Sequence, residues 1–449
     1  MPWRGTRVNG GRAGTRAFAA PSRFAALLAA PLAALLTAPL AAPLAAQHAH
    51  PAAHGDSAAT RAPFHGGAMA IALGSIASPG AHGRRIREGY LTQPMLFGGV
   101  QLAGGAVQAL ATLNLEGATL RRGEINPGGY GEGYIDRRHP HTFAHELMLG
   151  AQTERGRVAA SLWGGKGVVP FGSDDPMVRP FVKYPVNHHL AQVMERVLVV
   201  GSLRARGAAL EVARFNGDEP EGPADWPNGG RALDSWSSRL TVWAPRGLEL
   251  SASAARVQSP EFATGQGLDQ RKDAASLRWI ARVGSTPVVR YAFAEWARTR
   301  EGNARRPDIF TFQSILAEGA MAVRGATLAL RLEQTERPEE DRLSDPYRTV
   351  RPLLDFNILG RTRWSIVTVN VAAGPRAWGR LHLVPFAEAG WLRPRALAHP
   401  TPLDPVAYFQ SSQLWLWSAG IRLHTGTMRE RFGRYGAANA PMTTNQGRP

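Results

Sequence analysis

The residues best suited to chemistry form one dense polar stretch from Asp136 to Glu146, with histidines at positions 139, 141 and 145. Histidines two and four residues apart share one face of an extended strand, and imidazole suits zinc, copper or nickel. The stretch therefore offers His139 and His141 as candidate metal ligands, with structural packing of a loop as the alternative. It is also the one place where a hydrolase could activate water, using the set Asp136, His139, His141 and Glu146.

The start of the chain has the organisation of an export signal. Scattered arginines precede an Ala/Leu/Pro-rich segment from Phe24 to Ala46, and the polarity then changes abruptly. Basic, apolar and small-residue regions in this order are typical of a secretory signal, so we expect residues 1–46 to be a cleaved signal peptide. A membrane anchor is the alternative, but three prolines interrupt the apolar segment. We expect residues 47–67, which are rich in histidine, to form a flexible tail.

Composition excludes several classes of protein. The chain has 449 residues and no cysteine, which excludes disulfides, Cys-bound zinc and thiol catalysis. No run of eighteen apolar residues follows Gln47, so a helical inner-membrane protein is excluded. The formal net charge is +17, but no basic run or interleaved aromatic motif points to nucleic acid. A basic pore lining or contact with anionic lipid explains the charge better.

The elements that must carry the histidines are strands. From Ala68 onward apolar and polar residues alternate, as they do in a strand whose two faces meet different surroundings. In Ala326–Thr335 the leucines take one face, and Arg331 and Glu333 take the other. A soluble β-sandwich would also alternate. Here, however, very short turns alternate with long polar loops along the chain, as an outer-membrane barrel requires.

The order of turns and loops sets the strand count. Short joints are read at 104–105, 154–157, 204–206, 245–247, 284–287, 323–325 and 373–376. Long segments lie at 76–93, 121–141, 169–188, 217–236, 259–271, 298–308, 337–354 and 393–408. They give sixteen strands, with fourteen or eighteen as alternatives, and leave both chain ends on the periplasmic side.

We therefore predict an all-β fold, a transmembrane antiparallel up-and-down β-barrel over residues 68–424, followed by a C-terminal tail at 425–449. The first strand, Ala68–Ser75, should pair with the last, Gln413–His424, because lipid tolerates no open sheet edge. The alternation slips in Leu190–Gly201 and Gly360–Ala372, which are the least regular of the predicted strands.

Two stretches resemble the phosphate-selective porin-like group of outer-membrane barrels. At Gly165–Gly172 a strand runs into Pro-Phe-Gly, and at Arg214–Gly217 another ends in Phe-Asn-Gly. The resemblance implies an outer-membrane porin and leaves the solute open. The sequence departs from the group in two ways: the lysine-rich lining of a dedicated phosphate channel is absent, and the chain continues from Thr425 to Pro449 beyond the last strand.

The resemblance also predicts a role for the third long loop. By analogy with sixteen-stranded porins, we expect it to fold into the lumen and set a constriction, with an ordinary exposed loop as the alternative. A charged ring would let the pore select by charge, whereas a cross-strand salt-bridge ladder that stiffens the wall is the alternative role for these side chains. The candidate lining residues are Arg137, Asp174, Asp175, Lys183, His188, His189, Arg239, Arg278, Arg282 and Arg331.

Two local expectations concern neighbouring residues. His145 shares the strand phase of Leu147 and Leu149, which we assign to lipid, so it should lie near the headgroups unless a β-bulge turns it inward. Asn187 could cap a short helix, because apolar residues from Leu190 onward recur at helical spacing.

The sequence thus predicts an outer-membrane porin-like channel, not an enzyme, for passive passage of small solutes with a lean toward anions. The alternatives are an outer-membrane protein that handles or transports metal ions through loop histidines, and an outer-membrane hydrolase. Outer-membrane lipid and small solutes or ions are the expected partners, and nucleic acid is not. A homotrimer is the candidate assembly, and no cofactor is expected.

Overall fold

The computed structural model describes residues 64–120, 124–126, 141–173, 176–220, 222–226, 229–260, 266–283, 288–340, 358–397, 404–427 and 431–439. These residues form one closed antiparallel sheet of sixteen long strands, with one three-residue strand, β15, in the turn before β16. The predicted barrel and its strand number are confirmed.

The bounds of the strands are β1 Phe64–Ser78, β2 Ile86–Leu102, β3 Val107–Asn114, β4 Ala144–Arg155, β5 Val158–Gly167, β6 Arg196–Ala205, β7 Ala208–Phe215, β8 Ser235–Ala244, β9 Leu248–Val257, β10 Asp269–Val283, β11 Val288–Gly302, β12 Phe310–Val323, β13 Ala326–Glu340, β14 Ile358–Ala373, β15 Arg376–Trp378, β16 Leu381–Ala396 and β17 Leu414–Gly426. Three short helices lie in the connections, α1 Glu116–Thr119, α2 His188–Ala191 and α3 Pro405–Phe409.

The first and last strands close the sheet on itself. β1 pairs with β17 in a regular antiparallel register that runs from Gly67 opposite Gly426 to Ser78 opposite Trp415. β1 also pairs with β2, so both of its edges are occupied. The predicted closing pair is confirmed, and the barrel leaves no unpaired edge to face lipid.

Alternation along the strands separates an apolar outside from a polar inside. Leu203 and Val212 point outward with about half of their surface exposed, at 52% and 51%, whereas Arg239, Thr241 and their neighbours in phase are buried inside. This is the arrangement of a barrel that spans a membrane, and a closed barrel of this kind indicates the bacterial outer membrane. Among the described residues, no helix is both long enough and apolar enough to cross a membrane.

The short joints lie where the sequence predicts them. Turns at 103–106, 156–157, 206–207, 245–247, 324–325 and 374–375 separate consecutive strands, and β10 and β11 end and begin on either side of 284–287. Several long loops are shorter than predicted, because the strands continue beyond the point where their hydropathy stops alternating. β2 starts at Ile86, inside the predicted 76–93 loop, and β11, β13 and β16 likewise extend into predicted loops. Beyond the lipid both strand faces meet water, so hydropathy no longer marks the strand.

Two local expectations need correction. The β3–β4 register places Thr112 opposite Glu146 and Leu113 opposite Ala144, so His145 forms a bulge without a partner position. His145 and Glu146 are therefore both buried inside, and the headgroup position predicted for His145 is wrong. The predicted strand at 190–201 begins only at Arg196 because α2 precedes it, and the Asn187 side chain makes no capping bond to that helix.

The ends of the barrel also differ slightly from prediction. β1 begins at Phe64, so residues 64–67 of the predicted flexible tail belong to the wall. The predicted signal peptide, residues 1–46, lies outside the described residues.

The topology predicts which single cysteines react on intact cells. The chain has no native cysteine, so Ala224→Cys and Ala304→Cys, in long loops, should react with a membrane-impermeant maleimide within minutes. Ala205→Cys and Ala377→Cys, in short turns, should react only after the outer membrane is permeabilised. Mass-shift gels measure both groups, and the opposite pattern would invert the barrel.

Candidate functional site

The candidate site is the lumen, and two segments of the chain occupy it. The third loop, which we define as residues 168–195, leaves β5 and returns to β6. The C-terminal segment, residues 431–439, follows the last strand. Phe171, Val182, Phe432 and Tyr435 from the two segments are nearly inaccessible to solvent. The third loop is therefore packed inside the barrel, and its role as a constriction stays a prediction.

Carboxylates on the wall hold the third loop by its backbone. The Glu388 carboxylate accepts hydrogen bonds from the Val182 and Lys183 N–H groups at 2.8 and 3.0 Å. The Glu333 carboxylate accepts one from the Asn187 N–H at 2.8 Å. An irregular segment buried in a barrel must find partners for its backbone groups, and the wall glutamates supply them.

Arginines on the wall complete the loop's attachment. Arg331 donates to the Lys183 carbonyl at 2.9 Å and lies 4.6 Å from the centre of the Phe181 ring. Arg422 donates to the Phe181 carbonyl at 3.3 Å. Donors and acceptors of the loop backbone are thus both bound by charged wall residues, and such charge-assisted bonds are stronger than neutral ones.

Glu124 of the second loop also reaches the lumen. Glu124 accepts a hydrogen bond from the Lys183 ammonium at 2.8 Å, and that ammonium also contacts the Tyr90 hydroxyl. A cavity of about 20 Å³ remains here between the third loop and the wall, bordered by Lys183, Arg331 and Glu388. That volume holds about one water molecule.

A second set of ion pairs binds the C-terminal segment. Arg434 reaches the Glu211 carboxylate at 3.2 Å and the Thr241 hydroxyl at 2.6 Å, and Arg431 forms a two-pronged pair with Glu249 at 2.8 Å. Burial and the neighbouring guanidinium groups lower the pKa of Arg434 to about 10, so it remains charged at neutral pH. Arg239 of β8 shares the same carboxylate, with bonds of 2.6 and 2.8 Å to Glu211.

Aromatic residues complete the attachment of the segment. The Tyr435 hydroxyl donates to Glu146 and accepts from the Val168 N–H, both at 2.9 Å. Gly167 permits this approach, because a Cβ atom there would collide with the Tyr435 hydroxyl. Phe432 packs edge-on against the His145 ring at 5.8 Å. The segment is therefore anchored by ion pairs, hydrogen bonds and apolar contacts together.

A compact histidine–carboxylate cluster lies at the outer ends of β4 and β6. His145 Nδ1 is 2.6 Å, and His141 Nδ1 3.3 Å, from the same Glu195 oxygen, and the Thr142 N–H donates to both oxygens of Glu195 at 3.0 and 3.1 Å. Lys166 donates to the Thr142 hydroxyl and to the Ala144 carbonyl beside the cluster.

The cluster shifts the protonation equilibria of its members. Burial alone would raise the pKa of Glu195, but hydrogen bonds from His141 and His145 hold it well below its ordinary range. Burial would lower the pKa of His141, yet the hydrogen bond and the charge of Glu195 outweigh it, and the pKa lies above its usual value. The two shifts together favour an ionised Glu195 carboxylate beside a protonated His141 imidazolium.

The structure distributes the sequence-predicted residues over several environments. Lys183, Arg239 and Arg331 are buried in the contacts above, and Arg278 is partly exposed opposite Glu249. His188 stacks on Tyr184 at 5.6 Å, and His189 lies 4.0 Å from Glu219. Four of the remaining candidates lie outside the described residues: Arg137, His139, Asp174 and Asp175. For the fifth, Arg282, the backbone is described but the side chain is not. Their roles in selectivity or metal binding remain predictions.

Several residues of the lumen were not predicted. Glu195, Arg431, Arg434 and Tyr435 lie in segments without alternation, so strand phase could not assign them. One signal was present: Arg431, Phe432, Arg434 and Tyr435 form an arginine–aromatic pattern that is unusual for an unstructured tail. Glu388 could have been assigned to the lumen from the phase of its strand.

Comparison with known proteins finds similarity in structure only. No protein-family model and no curated protein matches the chain. The anion-selective porin of Comamonas acidovorans is similar in structure, at 11% identity and a TM-score of 0.46, covering 81% of this chain and 99% of that one. OprB of Pseudomonas putida is similar at 10% identity and a TM-score of 0.47, and the overlay covers 83% of this chain and 97% of that one. OpdO of Pseudomonas aeruginosa is similar at 12% identity and a TM-score of 0.36, and the overlay covers 81% of this chain and 97% of that one. Overlays this loose carry no argument about the solute.

The shared carboxylate predicts a large loss of stability. Glu211→Ala leaves two buried guanidinium groups without their anion and should lower the free energy of unfolding by about 3–5 kcal/mol. The exposed pair of Glu154 with Arg204 supplies the control, because Glu154→Ala should cost less than about 1 kcal/mol. Urea titrations of the barrel in lipid or detergent compare the two, and equal losses would show that Glu211 is not an anchor.

Proposed function

We propose that the protein is a porin-like outer-membrane channel that rests closed and opens for small solutes when its C-terminal segment leaves the lumen. A barrel of sixteen strands encloses a space that porins leave as an aqueous channel. Here, among the described residues, the third loop and the C-terminal segment lie in that space and bind the wall through polar contacts. The single observation that carries the proposal is the pairing of Arg431 and Arg434 with Glu249 and Glu211 of the wall.

The two filling segments differ in how they could move. The third loop is joined to a strand at each end, and wall residues of β13, β16 and β17 bind its backbone. The C-terminal segment follows β17, and none of its described residues belongs to the sheet. Its departure would break side-chain contacts and single backbone bonds, such as that of the Ala437 N–H with Ser161, but no strand pairing. We therefore assign the opening step to the C-terminal segment and the residual constriction to the third loop.

A lean toward anions is the finer part of the proposal. Arg278, Arg331 and Arg422 belong to the wall around the third loop and would remain there after opening. Opposing them, Glu211 and Glu249 would lose their partners from the C-terminal segment and face the solute path. A ring of charged side chains of either sign lets a pore select ions by charge. The reversal potential therefore measures whether the arginines or the glutamates determine the selectivity. A homotrimer remains a prediction.

Conductance tests the proposal directly. Replacing Arg431 and Arg434 together by glutamine should destabilise the closed form, and each 1.4 kcal/mol lost raises the open-to-closed ratio about tenfold. Planar-bilayer recordings should therefore show rare openings for the unaltered protein and frequent ones for the double variant. Arg256→Gln, which removes an exposed pair with Asp269, is the control and should leave the openings unchanged. A large steady conductance in all three proteins, or no opening in any, would contradict the proposal.

A further inference from the structure

The cluster of His141, His145 and Glu195 has the donor set of a metal centre. One ligand atom from each residue lies within 4.8 Å of the others, and all three residues are buried. Two imidazoles and one carboxylate form a ligand set that catalytic zinc sites use, with a further position left for water. Neither the channel proposal nor the ion pairs of the lumen require this arrangement.

Backbone geometry at two of the three residues supports a specific purpose. His145 faces inward only because β4 bulges there, which interrupts its pairing with β3. Glu195 adopts a φ of 58°, in the left-handed region that residues other than glycine rarely occupy. Bulges and such conformations concentrate at functional sites, because they turn one side chain at the expense of regular structure. Both irregularities here turn a ligand toward the same point.

The spacing suits a small ion after a modest adjustment. Metal–ligand bonds of about 2.0–2.1 Å in a tetrahedral site separate neighbouring ligand atoms by roughly 3.3 Å. His141 Nδ1 already lies 3.3 Å from the Glu195 oxygen, and His145 Nδ1 lies 2.6 Å from it. An entering ion would replace the hydrogen bond between His145 and Glu195. To reach the spacing of a metal site, the two ligand atoms would move apart by less than 1 Å.

The surroundings hold the ligands and leave a route of entry. The Thr142 N–H binds both carboxylate oxygens, which fixes the orientation of Glu195 as an outer-shell partner would. Lys166 is the nearby cation, and its ammonium is directed to the Thr142 hydroxyl and the Ala144 carbonyl. The side chains of His141 and Glu195 keep 9% and 8% of their surface exposed, so solvent reaches two of the three ligands.

We propose that His141, His145 and Glu195 bind one divalent first-row transition ion, of the zinc, copper and nickel class that imidazole prefers. The predicted ligand His139 lies outside the described residues. The site joins the end of the second loop to the end of the third, and Phe432 of the C-terminal segment packs against its His145. The metal site goes beyond the proposed channel, and it is tested independently of that proposal.

The test uses full-length protein stripped with a chelator, in which His48, His50 and His54 are replaced by alanine to remove competing histidines of the tail. Equilibrium dialysis with zinc alone should show one tightly bound equivalent. His145→Ala and Glu195→Gln should each weaken that binding at least tenfold. His382→Ala with His424→Ala removes a different pair, with rings 4.9 Å apart, and should leave it unchanged.

Two further measurements keep the outcome clear. Circular dichroism and heat-modifiable gel mobility establish that each variant is folded, and Glu195→Gln, nearly isosteric, serves if His145→Ala does not fold. X-ray absorption of the bound zinc should show two imidazole ligands and oxygen. Equal zinc binding by the folded Glu195→Gln variant, or no tight equivalent in the parent protein, would overturn the site. Neither result depends on conductance, so a failure here is distinguishable from failure of the channel proposal.

Discussion

Charge buried inside a barrel must be neutralised locally, and Glu211 is where this structure meets that constraint most closely. Its carboxylate binds Arg239 of the wall and Arg434 of the C-terminal segment, and all three side chains are almost fully buried. Transferring an ion from water into a protein interior costs several kcal/mol of free energy unless protein partners replace the water. The wall in this region therefore needs the C-terminal segment or water beside it. In the proposed function, this choice distinguishes the closed state of the lumen from the open one.

The same constraint explains why the two filling segments are unlike. The third loop presents backbone groups, and Glu333, Glu388 and Arg331 bind them from the wall. The C-terminal segment presents mainly guanidinium groups and aromatic rings. In the proposed function, the third loop is the fixed constriction and the C-terminal segment is the removable closure.

The sequence predicted the wall well because the wall is a local pattern. Alternation in Ala326–Thr335 follows from one strand facing lipid and lumen at once, and the predicted phase is the observed one. Strand ends were less predictable, as Ile86 shows, because beyond the lipid both faces meet water. His145 escaped the phase rule through a bulge that only its pairing partner reveals. Tyr435 meets Glu146, 289 positions earlier in the chain, and no local pattern encodes such a contact.

The central claim is that residues 431–439 lie inside the barrel and close it. Hydrogen exchange followed by mass spectrometry tests it most directly, because the Ala437 N–H donates to Ser161 of the wall and the Ala438 N–H to the Tyr435 carbonyl. Peptides that cover this segment should exchange slowly in the folded protein, and much faster when Glu211 and Glu249 are both replaced by glutamine. Full exchange of the segment within seconds in the unaltered protein, while the strands stay protected, would contradict the account.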